Sequence, residues 1–261
     1  MRSAGLLLFL SLLPACSDDG QAAEVRGGRG RAEGVAGGTV ALGIRELNYR
    51  PMAVGTTSAL TGVVSLDSTA RDSVVLVTRD TSVCGDTAAV TVASPANVLV
   101  WIDGITAGKP LPEIRRNEIV IERCRFTPRV LAVRSGTTIN VKSRDRIVLT
   151  SRFYHEGAPE PVAEIHTVDA GQVVPSEKIA AKPGIVEIRT PQQPWTRGYI
   201  AVFDHPYFAV ADANGQFTID SLPPGTYTVK VWHEQLEKPM EQRVVVIGGG
   251  TGRLELRLAG R

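Results

Sequence analysis

The chain has 261 residues, room for one large or two modest domains that each bury a core. Its 29 Lys and Arg against 27 Asp and Glu leave a formal net charge of +2, which excludes the basic footprint of a nucleic-acid-binding protein. The 26 Gly and 16 Pro, among many Val, Thr and Ile, point to short strands and turns rather than helices.

The N-terminus reads as an export signal. Arg2 supplies a positive start, Leu6 to Leu13 an apolar run too short to span a bilayer, and Leu13-Pro14-Ala15-Cys16 the pattern of a bacterial lipobox. The expectation is a lipoprotein signal peptide over 1–15 and a lipid on Cys16 that ties the mature chain to a membrane. An ordinary secretory signal with a chance Cys is the alternative. Ser17 after that Cys favours the outer membrane, facing the periplasm. Residues 16–57 carry Gly27-Gly28-Arg29-Gly30-Arg31 and Ala/Gly repeats, and read as a flexible tether with a partly ordered piece at Val40 to Met52.

With Cys16 set aside, Cys84 and Cys124 remain. In an oxidising compartment such a pair is most simply a disulfide. Two thiolate metal ligands are the competing idea, and it lacks a nearby Cys or His companion.

From Thr61 onward short apolar runs alternate with Gly, Asp and Pro: Gly62 to Leu66, Ser73 to Val77, Val98 to Ile102, Glu118 to Glu122, Val130 to Val133, Thr138 to Val141, Ile147 to Thr150 and Ile185 to Arg189. The stretch from Phe153 to Lys182 reads as a long loop or a short helix. Phe208 to Val210 and Gln216 to Ile219 flank Asp212-Ala213-Asn214-Gly215, a hairpin signal. Leu222-Pro223-Pro224-Gly225 is a rigid turn into the alternating strand Thr226 to Trp232, and Arg243 to Ile247 and Arg253 to Leu258 are two more strands. Regular short strands with turns between them argue for sandwiches or barrels, so the fold class is all-β.

Several motifs carry a resemblance. They are Asp204-His205-Pro206-Tyr207-Phe208, the Asn-Gly turn, Leu222-Pro223-Pro224-Gly225-Thr226-Tyr227 and Val231-Trp232-His233-Glu234, with Cys124-Arg125-Phe126-Thr127-Pro128, Ser135-Gly136-Thr137-Thr138 and Pro194 to Ile200 upstream. Over roughly 58–258 the chain resembles bacterial exported plastocyanin-like and methylamine-utilisation-type proteins. The resemblance implies a cupredoxin-like β-sandwich over 58–203, then a small prealbumin-like module over 204–259. That module is similar to the carboxypeptidase regulatory-like domain and to carbohydrate-binding-like folds.

The same resemblance implies a copper site, and here its pattern departs. Copper-binding relatives show an Asn-Ser-Asp stretch leading to a His, then Cys-x-x-His-Pro-Trp-Met. This chain has Leu149 for the first His, Thr190 for the Cys, Gln193 for the second His and Thr196 for the Met, and Arg129 where a His often follows Cys-Arg-Phe-x-Pro. A blue copper centre needs imidazoles and a thiolate. The expectation is a degenerate site with no metal and no cofactor.

Four His remain. His155 and His166 lie in the irregular middle stretch, where they could meet and form a new metal site, although no third ligand has a fixed spacing. His205 reads as a hydrogen-bonded structural residue, and His233 beside Glu234 as a surface pair at a strand end. Trp195 and Tyr199 are the candidate ligand-facing aromatics, whereas Trp101 and Trp232 lie in apolar runs and read as packing. No nucleophile elbow, phosphate loop or His-Glu-x-x-His motif occurs, so no catalytic residue is assigned. The sequence therefore reads as a non-catalytic envelope lipoprotein that binds or scaffolds an envelope protein or a glycan. A redox protein with an unconventional copper site and a glycan-binding accessory module are the alternatives.

Overall fold

A computed structural model of the chain describes residues 44, 46, 48–67, 69–113 and 116–259. The expected signal peptide, Cys16 and most of the tether lie outside the described residues. In chain order these residues form β1 (Arg50–Pro51), β2 (Ser58–Leu66), β3 (Ser73–Leu76), helix α1 (Thr81–Cys84), β4 (Thr87–Thr91), β5 (Leu99–Asp103) and β6 (Ala107–Gly108). The middle of the chain gives β7 (Asn117–Glu122), β8 (Arg125–Thr127), β9 (Val130–Arg134), β10 (Thr137–Ser143), β11 (Leu149–His155), β12 (Ala163–Thr167), β13 (Val173–Ala180), β14 (Gly184–Arg189) and β15 (Arg197–Phe203). The last stretch gives β16 (Phe208–Val210), β17 (Gln216–Leu222), β18 (Gly225–Trp232), β19 (Met240–Val246) and β20 (Thr251–Leu258). The all-β class expected from the sequence is what the chain has.

Four sheets stack face on face. Sheet A has the order β13-β10-β7-β8, sheet B β12-β11-β14-β15-β9, sheet C β16-β5-β18-β19 and sheet D β17-β2-β20. Ile119, Ile139, Phe153 and Ile188 belong to the core between A and B. Leu99, Trp101, Ala201, Phe203 and Trp232 fill the space between B and C. Leu60, Val100, Tyr207, Val229 and Leu256 belong to the core between C and D. The two inner sheets are therefore covered on both faces, and their strands lose the usual alternation with polar residues. In β15, Ile200 and Val202 enter one core while Ala201 and Phe203 enter the next. In β5, Leu99 and Trp101 face sheet B while Val100 and Ile102 face sheet D. Each such large side chain contributes roughly 1.5–3 kcal/mol by burial.

The layering corrects the expected boundaries at 58 and 204. Strand β2 lies between β17 and β20, pairing Leu60 with both Ile219 and Gly252. Strand β5 lies between β16 and β18, pairing Trp101 with both Phe208 and Lys230. Residues 204–259 alone would thus make two sheets without their central strands. The sandwich of sheets A and B spans only β7 to β15, and the second sandwich draws on both ends of the described chain. Pairings over such separations leave no local trace in a sequence.

Three smaller expectations change as well. The stretch from Phe153 to Lys182 holds β12, β13 and the last three residues of β11, with neither a long loop nor a helix; β13 is an edge strand, where Pro175 removes no ladder bond that the sheet needs. The turn at Asp212 to Gly215 forms, with Asp212 Oδ1 accepting the backbone N–H groups of Asn214 at 2.9 Å and Gln216 at 2.8 Å. It joins strands of different sheets, however, and so makes no hairpin. Gly215 has φ +76, and a Cβ there would lie 2.0 Å from the Val64 carbonyl oxygen, so no other residue fits. Finally, the end of the expected tether docks: β1 pairs in parallel with β6, and the Tyr49 hydroxyl donates to the Lys109 carbonyl at 2.7 Å.

Between β2 and β5 the chain makes a flap of β3, α1 and β4. The Cys84–Cys124 disulfide fixes the flap to the turn between β7 and β8, as the cysteine pairing expected. Val77, Ala88 and Trp195 pack around this bond.

Candidate functional site

The four degenerate copper positions lie at the flap end of the A–B sandwich. Leu149 opens β11 and is buried in the core shared by sheets A and B. Thr190, Gln193 and Thr196 lie in the connection from β14 to β15, and all three are buried. Successive turns shape this connection, with the Gln193 N–H donating to the Thr190 carbonyl at 3.0 Å and the Thr196 N–H to the Gln193 carbonyl at 2.8 Å. The Thr196 hydroxyl donates to the Cys124 carbonyl at 2.7 Å, and Gln193 Nε2 donates to Asp80 of the flap at 2.8 Å. Thr190 Oγ1, Gln193 Oε1 and Ser151 Oγ are buried without a hydrogen-bond partner among the described residues.

This donor set does not fit a blue copper ion. It offers a hydrocarbon, two hydroxyls and an amide, and the Cys124 sulfur is committed to Cys84. None of these supplies the thiolate and imidazole that hold copper in both oxidation states.

A buried ion pair closes the same end. Arg129 grips Glu234 through Nε at 2.6 Å and Nη2 at 2.8 Å, and also donates to the Val90 carbonyl. Glu234 Oε1 accepts the Val92 N–H at 3.1 Å. The side chains are 14% and 2% exposed, so water screens them little. One pair thus links the A–B sandwich, the flap segment and the loop after β18. The expected surface pair of His233 and Glu234 is thereby corrected: His233 is buried, the Glu234 side chain is turned inward, and its partner is Arg129. Only the oddity of Arg129 at a position often held by His hinted at this.

The histidines stay apart. His166 pairs with Thr150 across β11 and β12, while His155 lies five residues further along β11, about 17 Å away. His155 Nε2 contacts the Pro183 carbonyl at 2.9 Å, and its ring lies over Gly184, where φ is +136 and a Cβ would meet it at 2.3 Å. His166 is exposed and sits 3.1 Å from Glu164. The structure does not bring these two together. His205 accepts the Tyr207 N–H on Nδ1 at 3.1 Å, as its structural reading expected, and burial pushes its pKa down to about 4. Burial lowers His233 too.

The expected aromatic pair also divides. Trp195 is only 8% exposed and packs against the disulfide, so it faces no ligand. Tyr199 opens onto a groove of about 360 Å³ at the seam between sheets B and C. The groove follows from strand register. Tyr154, Glu187 and Tyr199 lie side by side across β11, β14 and β15, and the next row is Arg152, Arg189 and Arg197. Tyr199 meets Trp232 edge to face at 5.0 Å, and the Arg189 guanidinium lies 4.7 Å from the Tyr154 ring centre. Arg189 Nε and Arg197 Nη1 both donate to Glu187, at 2.9 and 2.6 Å. The His155 to Pro159 segment forms one wall. Burial pushes the Tyr199 hydroxyl up, so it stays protonated as a donor. Sequence reasoning reached Tyr199 but missed Tyr154, Glu187 and Arg189, whose grouping depends on a register the sequence does not display.

Comparison with known proteins adds the following. Residues 195–254 match the family model described as polysaccharide lyase family 4, domain II, a stretch that carries Tyr199 and Trp232. No curated protein matches the sequence. Among solved structures the chain is similar to the purple cupredoxin of Nitrosopumilus maritimus, at 14% identity over 33% of this chain and 98% of that one, with a TM-score of 0.28. It is similar to the copper-containing nitrite reductase of Thermus scotoductus SA-01, at 22% identity over 39% of this chain and 24% of that one, with a TM-score of 0.30. A copper(I) amicyanin variant is similar at 17% identity over 33% of this chain and 81% of that one, with a TM-score of 0.28.

Proposed function

We propose that this protein is a non-catalytic binding module, built on a cupredoxin-like scaffold whose copper positions have become core. Its kinship is with the plastocyanin-like and methylamine-utilisation-type exported proteins, and a lipid on Cys16 holds it at the periplasmic face of a membrane. One observation supports the reading above the others: Leu149, Thr190, Gln193 and Thr196 are buried under a disulfide-fixed flap, with Gln193 and Thr196 committed to protein partners. Metal analysis of the purified protein, with a visible absorption scan near the blue copper band, tests it. The expected result is a colourless protein that copper addition does not change. Stoichiometric, tightly held copper would overturn the reading in favour of an electron-transfer protein.

A second reading, a carbohydrate-binding accessory module, draws support from the groove. Two of its aromatic residues fall in the stretch that matches a domain named after a polysaccharide lyase.

A further inference from the structure

We infer that the groove at the seam of sheets B and C binds one pyranose ring of a glycan, stacked on Tyr154 and Tyr199 and held through its hydroxyls by Glu187 and Arg189. The inference rests on the carbohydrate-binding reading and gives it a site.

Three features of the groove favour this ligand class. Its volume of about 360 Å³ is within the range that encloses a small ligand and too small for a folded partner. Its floor follows strand register, so Tyr154 and Tyr199 flank one carboxylate on a rigid sheet rather than on loops. A sugar ring presents C–H groups on its faces and hydroxyls around its rim. Aromatic walls suit the faces, and a carboxylate beside guanidinium groups suits the rim, since each hydroxyl can donate to one and accept from the other.

The polar groups are already in place. Glu187 is held by Arg189 and Arg197 at once, which fixes its oxygens before any ligand arrives. The Tyr199 ring is held by Trp232, and His155 is locked between the Pro183 carbonyl and Gly184. Little side-chain freedom remains to be lost on binding.

The test uses the purified full-length protein with defined probes: cellohexaose, maltohexaose and chitohexaose as neutral glycans, and hexagalacturonate as an acidic one. Saturation-transfer NMR and tryptophan fluorescence report binding, and Tyr154→Ala and Arg189→Ala are the variants. Both side chains lie at the open surface, and near-ultraviolet circular dichroism verifies that each variant folds. At least one probe is expected to bind, with Kd raised roughly three- to tenfold by Tyr154→Ala. Preference for hexagalacturonate, lost in Arg189→Ala, would identify the ring as a uronic acid; neutral probes binding equally well would identify a plain hexose. Binding that neither variant weakens overturns the groove as the site and leaves the carbohydrate-binding reading standing. No binding of any probe at about 10 mM, on the order of ten times the concentration that half-saturates a site of about 1 mM Kd, overturns both.

Discussion

Strands β11, β14 and β15 carry two regions that share a sheet and differ in every other respect. At one end Leu149, Ser151 and Thr190 lead to a connection that is capped, cross-linked and buried. Further along, Tyr154, Glu187 and Tyr199 emerge on the opposite face, in a groove beside sheet C. The first holds the positions that correspond to copper ligands in the resembling family, and its polar atoms are turned inward, some without partners among the described residues. The second holds none of the positions that correspond to copper ligands, yet its polar groups are paired with one another and open to solvent. Motif correspondence marks which positions to inspect; exposure and pre-organisation mark where a ligand can reach.

The largest break in this comparison is expected at the ion pair that closes the capped end. Glu234→Ala leaves Arg129 charged in a space only 14% exposed, and should cost about 3–5 kcal/mol in guanidinium denaturation. A cost below about 1 kcal/mol would show that the flap is merely laid against the sandwich.

Lowering the pH should loosen the protein next. His205 has its folded pKa depressed to about 4 by burial, against about 6.5 when unfolded. The unfolded chain therefore binds the extra proton first, and the stability is present above pH 6.5 and lost as pH falls toward 4. The span corresponds to about 3 kcal/mol, with His233 adding in the same direction. Denaturation midpoints between pH 7 and 4 check this, and His205→Gln should flatten the curve.

The finest distinction lies within the closed end. Thr196→Val leaves the buried Cys124 carbonyl without its donor and should cost about 1–3 kcal/mol. Thr190→Val removes a hydroxyl that has no partner among the described residues and should be neutral or slightly stabilising. Equal costs from thermal melts would mean that Thr190 also has a partner.

Much of this could be read beforehand, for identifiable reasons. Short runs bounded by Gly and Pro marked most strands, because turn chemistry and strand propensity are local. Cys84 and Cys124 could be paired because only two cysteines followed the lipobox. The family resemblance marked the other positions: Leu149 through the stretch from Ser143 to Leu149, and Thr190, Gln193 and Thr196 through the likeness of Thr190 to Thr196 to Cys-x-x-His-Pro-Trp-Met. What failed was non-local. The run Val98 to Ile102 announced a strand but not that its neighbours are β16 and β18, over a hundred residues later. Arg129 and Glu234 lie 105 residues apart, and neither sequence context names the other. Tyr154 and Glu187 become neighbours only once β11 and β14 adopt their register.

The insertion of β2 and β5 into sheets completed by the C-terminus also governs how this molecule can be made. A ribosome delivers Leu60 and the five apolar residues from Val98 to Ile102 long before any strand that can shelter them. During that interval they are an uncharged, β-prone segment of the kind that seeds aggregates. A chain extended only to residue 203 holds the strands of one sandwich with two naked strands attached, and β16 to β20 turn those two into the centre of a second. Chaperone dependence should therefore be greatest just before the C-terminus appears, and premature termination should poison the product rather than shorten it.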